Sequence, residues 1–193
     1  MNKGQIIYFR WGTNMYLYHY YDKSDGAFKN LSDLTVEDAK ELLLKIKRER
    51  PNALASARHE SYIETRLGYE DMARRLFAEK DGKILRKAPH YMVVEACPWL
   101  CSWFENPAYI KIPINEFDLS TLSFTYGDMH PTFSPRVNDR KEYRKQLYLY
   151  KDILKLINKY GLPQEWNADG RYGPERYIEV QVWSDETISR FVK

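Results

Sequence analysis

Near the end of the chain, in RYGPERYIEVQVW (171–183), apolar and polar positions alternate. Ile178, Val180 and Val182 form one face of a predicted β-strand, and Tyr177, Glu179, Gln181 and Trp183 form the other. Further strands are expected at MYLYHYYD (15–22), HYMVVE (90–95), AYIKIPI (108–114), TLSFTYG (121–127) and KQLYLY (145–150), which are rich in aromatic and β-branched residues. Elsewhere the period is helical. Thr35 caps a helix with Asp38 three residues on; Val36, Ala39, Leu43 and Ile46 make its stripe, and Pro51 ends it. A second helix runs from about Ser61 to Lys80 and stops at Gly82, with Tyr62, Ile63, Tyr69, Ala73, Leu76 and Phe77 on its core face. A late helix, KDILKLINKYG (151–161), ends at Gly161, and PWLCSWFEN reads as a short helix. The order predicts an α+β fold: a single domain over 15–193, a mainly antiparallel mixed sheet, two N-terminal helices and one late helix. Residues 1–14 read as a flexible N-terminal extension, because Met15 directly precedes the first strong strand.

Two polar residues interrupt the stripe of the second helix. Arg66 and Glu70 are one turn apart, so they either bridge each other or line a polar site, with Arg66 reaching an anionic ligand. The 16 Tyr and 5 Trp suit cores, pockets and interfaces alike, and favour strands and ligand-facing surfaces without choosing between them.

Charge alters the picture little. With 30 basic and 27 acidic residues, the net +3 does not by itself predict nucleic-acid binding. Two basic runs, KIKRER (45–50) and RVNDRKEYRK (136–145), read as solvated faces. The two cysteines, Cys97 and Cys101, make no disulfide framework and read as reduced thiols. No signal peptide or membrane-spanning run stands out, which predicts a cytoplasmic protein without a membrane partner.

No P-loop, G-x-G-x-x-G, G-x-S-x-G or H-E-x-x-H motif occurs. Candidate chemistry is therefore dispersed. His19, Tyr91 and Glu179 stand on three predicted strands. The segment LYHYYD around His19 resembles the strand that opens many ADP-ribosyltransferases. That resemblance implies NAD as the cofactor, His19 on its ribose, Tyr91 on the nicotinamide, and Glu179 stabilising the oxocarbenium-like transition state. The chain departs from that pattern where Tyr20 and Tyr21 follow His19 in place of Gly-Thr, and where Tyr177 precedes Glu179. Arg66, Gln181, Tyr177, Trp183 and Arg176 are the accompanying ligand-binding candidates. The chain as a whole resembles a family of uncharacterised bacterial proteins, through YLYHYYDKS, KAPHYMVVEACPWL, SFTYGDMHPTF and YGLPQEWNADGRYGPERYIEVQVW; this implies no particular activity.

Two other sets compete. His90, Glu95, Asp128 and His130 carry ligand types suited to a metal-dependent hydrolase, although His90 and Glu95 point to opposite faces of their strand; no metal site is assigned. The loop residues Gln164, Asn167, Asp169, Arg171, Glu175 and Arg176, with Trp166 and Tyr172 for stacking, suit either local pairing or a ligand. A nucleotide-binding, ADP-ribosyltransferase-like domain is the leading expectation. The alternative is a non-catalytic module for single-stranded nucleic acid or a protein partner, which needs Lys45, Lys47, Arg48, Arg136, Arg140 and Arg144 on one patch. The sequence leaves catalysis and binding as alternatives and sets no oligomeric state.

Overall fold

A computed structural model describes residues 15–192, so the predicted extension over 1–14 lies outside the described residues. Five strands form one sheet: β1 (Tyr16–Asp22), β2 (His90–Val94), β3 (Pro107–Pro113), β4 (Leu122–Thr125) and β5 (Glu179–Val182). Their order is β3-β1-β2-β5-β4, and every pairing is antiparallel. Among the described residues six α-helices accompany them: α1 (Val36–Glu49), α2 (Tyr62–Ala78), α3 (Met129–Phe133), α4 (Tyr150–Tyr160), α5 (Pro163–Trp166) and α6 (Ile188–Phe191). The architecture is α+β, and no helix among the described residues is long and apolar enough to cross a membrane.

Alternation on the strands assigns the two faces. Leu17, Met92, Val94, Ile112, Phe124 and Val180 point to one side, where Ile153 and Ile157 of α4 cover them. Each such fully buried side chain contributes roughly 1.5–3 kcal/mol. On the other side, Trp183 packs with Ala73 and Phe77 of α2 and with Met129 and Phe133 of α3. Thr35 caps α1 as expected, its hydroxyl accepting from the Asp38 N–H at 3.1 Å. Gly161 ends α4 at φ +79°, a conformation that favours glycine.

Two expected elements differ. KQLYLY forms no strand; only Tyr148 pairs, with Phe124 of β4. Lys145 sits at φ +58° with its N–H on the Thr132 carbonyl, and Tyr150 already begins α4, so too few extended residues remain for a ladder. PWLCSWFEN is a 3-10 turn over Pro98–Trp103. Cys97 and Cys101 are both free thiols.

The sheet has one gap, which creates the candidate site. β1 and β2 pair only at Leu17↔Val94 and Tyr18↔Val93, then separate. The Tyr91 carbonyl, which a continued ladder would satisfy, instead accepts from the His19 ring Nδ1 at 2.9 Å. A cleft opens where the strands part.

Candidate functional site: an aromatic cleft with two carboxylates

The cleft has a volume of about 300 Å³ and lies among β1, β2, α2 and α3. Its walls carry many aromatic rings, including Tyr18, Tyr20, Tyr62, Tyr69, Tyr91 and Trp103. Glu179 and Asp128 both line it.

Glu179 is positioned by its own strand face. On β5 it stands opposite Val93 of β2 and Thr125 of β4. Behind it runs a directed chain of hydrogen bonds. The Trp183 indole N–H donates to Ser123 Oγ at 2.9 Å, and the Ser123 hydroxyl donates to Gln181 Oε1 at 2.9 Å. Gln181 Nε2 then donates to Glu179 Oε1 at 2.9 Å, with Thr125 Oγ1 as a second acceptor at 3.3 Å. The expected ligand-facing roles of Gln181 and Trp183 are thereby corrected: both are completely buried, and they orient Glu179 from beneath. Trp183 stacks on Phe77 at 6.0 Å, so helix packing claims its ring.

Asp128 reaches the same place from the loop after β4. It caps α3, Oδ1 accepting from the His130 N–H at 2.6 Å. Its Oδ2 accepts from the Tyr177 hydroxyl at 2.8 Å. Burial pushes the Glu179 carboxyl well above the usual carboxylate range, and the neighbouring Asp128 charge pushes it further. Burial, then Asp128 and Glu179, likewise keep the proton on Tyr177. Glu179 is therefore pushed towards its protonated form, beside an Asp128 carboxyl group that a phenol and a backbone amide hold in place. His130 stacks on Tyr62 (5.7 Å, 5°) and meets Tyr69 edge-on at 5.0 Å. Burial lowers its pKa, and its Nε2 is buried without a hydrogen-bond partner.

Arg66 and Glu70 form the expected bridge, at 3.0 Å. Glu70 Oε1 also accepts from Ser32 Oγ at 2.6 Å and from the Tyr91 hydroxyl at 2.5 Å. The other Arg66 nitrogens donate to the Tyr62 hydroxyl and to Asn30 Oδ1, and the guanidinium lies 4.5 Å above the Tyr91 ring. Arg66 lines the cleft, but each of its nitrogens already has a protein partner. This network fixes α2 against β2 and holds the Tyr91 wall in place.

His19, Tyr91, Glu179, Arg66 and Tyr177 thus share one cleft, although they come from β1, β2, β5, α2 and the segment before β5. His19 contributes only its ring face. Its Nε2 accepts from the Phe28 N–H at 2.9 Å, so Nδ1 carries the hydrogen given to the Tyr91 carbonyl. Burial lowers its pKa to about 4. No ring nitrogen remains for a ribose hydroxyl. Arg176 lies outside the cleft wall; it stacks over Trp99 at 4.0 Å and donates to the Ala168 carbonyl.

The competing sets separate. His90 pairs with Asp185 at 2.6 Å, while Glu95 accepts from the Tyr16 N–H at 2.9 Å. Among the described residues, no three His, Cys, Asp or Glu side chains are placed to hold a metal ion. In the loop set, Asn167 Nδ2 donates to the Gly173 and Glu175 carbonyls and its Oδ1 accepts from the Tyr172 N–H, so local pairing prevails. The basic runs do not act as one free patch: Arg144 is buried, bridging Asp139 and Glu175.

Two residues escaped the sequence reading. Asp128 was grouped with metal ligands; its partnership with Tyr177 spans 49 positions and has no local signature. The G-D-M-H run nevertheless marked an acid beside an imidazole. Arg58 was not singled out. It sits over the rings of Tyr62 (4.4 Å) and Trp103 (5.8 Å) and makes no ion pair among the described residues. Compared with known protein families, curated proteins and solved structures, the chain matches none of them.

Proposed function

We propose that the cleft binds a nucleotide and acts at the ribose carbon that carries the base, with Glu179 as proton donor and Asp128 as the carboxylate facing the developing positive charge. The observation carrying this reading is the pair itself: two carboxyl groups, Glu179 and Asp128, lining one cleft, the first pushed by burial towards its protonated form and the second hydrogen-bonded by Tyr177. Two carboxyl groups driven to opposite protonation states are the arrangement that cleavage of a glycosidic bond needs.

The base leaves with the electron pair of the N-glycosidic bond and takes the Glu179 proton. Water, or an acceptor hydroxyl, adds to the ribose carbon and gives its proton to Asp128. The tyrosine walls offer faces on which a base stacks, and Arg58 is a cation free to meet a phosphate. This shares the oxocarbenium chemistry of ADP-ribosyl transfer but orders the substrates differently. Nicotinamide leaves NAD without needing a proton, whereas a neutral purine or pyrimidine gains from one. A neutral Glu179 therefore favours nucleotides with neutral bases over NAD.

Thermal-shift titration with mononucleotides and NAD, followed by chromatographic detection of released base, tests the reading. Base release that falls by about 10²–10⁴ in Glu179→Gln, with binding retained, is expected. Absence of both binding and base release across the panel overturns it.

A further inference from the structure

The aromatic lining of the cleft does not stop at its mouth. On the same sheet face as Glu179, Tyr18 and Tyr20 of β1 stand beside Tyr109 of β3, the edge strand, with ring centroids 5.5 and 5.9 Å from Tyr109. Tyr109 is 57% exposed. Tyr18, Tyr20 and Trp103 pack over one small cluster with Tyr177, and Trp103 meets Trp99 edge-on at 5.3 Å. Arg58 then links Trp103 to Tyr62, which stacks on His130 beside Asp128. Rings packed on one cluster, joined by the Arg58 guanidinium, thus lead from the exposed sheet edge towards the two carboxyl groups.

Cations are interleaved with these rings. Lys111 Nζ lies 3.8 Å from the Tyr16 ring centroid, Arg58 lies over Tyr62, and Arg176 lies over Trp99. Among the described residues none of the three forms an ion pair with a carboxylate, while Arg50, Arg66, Arg86, Lys141 and Arg144 all do. Unneutralised cations spaced among flat aromatic faces complement a polyanion that carries flat bases. A purely apolar partner would leave those charges unmatched.

We propose that this strip binds single-stranded nucleic acid, its bases stacking on Tyr109, Tyr18 and Trp103 and its phosphates meeting Lys111, Arg58 and Arg176, so that one nucleotide enters the cleft. The strip stands on its own geometry; only the fate of the inserted nucleotide rests on the function proposed above. The substrate class becomes a base within a single strand, unstacked without any duplex to open.

The test is fluorescence anisotropy of the full chain with labelled single-stranded RNA and DNA of about twelve nucleotides, a duplex of the same sequence, and mononucleotides as competitors. Single strands are expected to bind at least tenfold more tightly than the duplex or any mononucleotide. Affinity is expected to fall with salt at a log–log slope of about −2, for three phosphates neutralised. Tyr109→Ala and Lys111→Ala, both outside the cleft wall, are each expected to weaken oligonucleotide binding about tenfold and to leave mononucleotide binding and melting temperature unchanged. Oligonucleotides that bind no better than mononucleotides, or binding that both variants leave intact, overturn the strip and leave the cleft reading standing. Tight, salt-dependent strand binding without base release in wild type supports the strip and overturns the proposed chemistry. The RNA and DNA arms decide which sugar the strip prefers.

Discussion

Glu175 and Glu179 lie four residues apart, both are buried, and the protein treats them in opposite ways. Glu175, in the loop before β5, is wholly enclosed and meets two cations: Lys141 at 2.8 Å and Arg144. Asn167 binds the backbone carbonyl of the same residue. Glu179, on β5, forms no ion pair among the described residues; an amide orients it, burial and then the Asp128 charge oppose its ionisation, and the Arg66 charge only partly offsets them. One carboxylate is neutralised by partners and holds a loop in place. The other is pushed towards its protonated form and faces a cleft. Burial alone therefore does not shift a carboxyl towards its protonated form; burial without an ion-pair partner does.

The largest expected effect breaks the comparison on its structural side. Glu175→Ala leaves Lys141 and Arg144 short of a buried partner and should destabilise the chain by about 3–5 kcal/mol in chemical denaturation. Glu179→Gln should change stability far less at pH 7. Equal losses in the two variants would erase the distinction.

A second effect comes from the wall of the cleft. His19 is neutral in the folded chain down to about pH 4, against 6.5 when unfolded. Between those values the unfolded chain binds the extra proton, so stability falls as pH drops from 6.5 towards 4. The loss is about 3 kcal/mol at full extent. His19→Asn should flatten that limb of the pH–stability curve. An acid limb unchanged in the variant would place the titration elsewhere.

The third effect has the opposite slope. The Glu179 carboxyl is raised above its ordinary 4.5, so above that pH the folded chain holds a proton that the unfolded chain has released. Its contribution is intact below 4.5 and declines as pH rises, at up to about 1.4 kcal/mol per pH unit until the folded group ionises. Glu179→Gln should therefore gain on wild type as pH rises above 4.5, measured as melting temperature against pH. Parallel curves would show that the carboxyl is not held protonated. The smallest effect belongs to Arg58→Ala: within about 0.5 kcal/mol of wild-type stability, but with weaker nucleotide binding by calorimetric titration.

Most of the architecture was legible from period alone. Thr35, Pro51 and Gly161 bounded helices where local chemistry required, and Ile178, Val180 and Val182 faced the core. The expected strand at 145–150 shrank to the Tyr148 bridge because hydrogen bonding around Lys145, not propensity, decided the backbone there. At the site, Glu179 stood out as a charge in a strong strand, and the Arg66–Glu70 bridge followed from helical spacing. The contacts of Asp128 with Tyr177, and of Trp183 with Ser123 and Gln181, were not legible. They join segments 49 and 58–60 residues apart through side chains that have no shared periodicity. His19 illustrates the same limit: its strand position was readable, but its capture by the Tyr91 carbonyl depends on where β1 and β2 stop pairing.

The central claim is that burial makes Glu179 hold its proton above the ordinary carboxylate range, beside Asp128. Infrared difference spectroscopy of wild type against Glu179→Gln at pH 7 reads this directly. A carboxylic-acid carbonyl band present in wild type, absent in the variant and shifted in deuterium oxide is the predicted result. A difference spectrum that contains only carboxylate bands would contradict it.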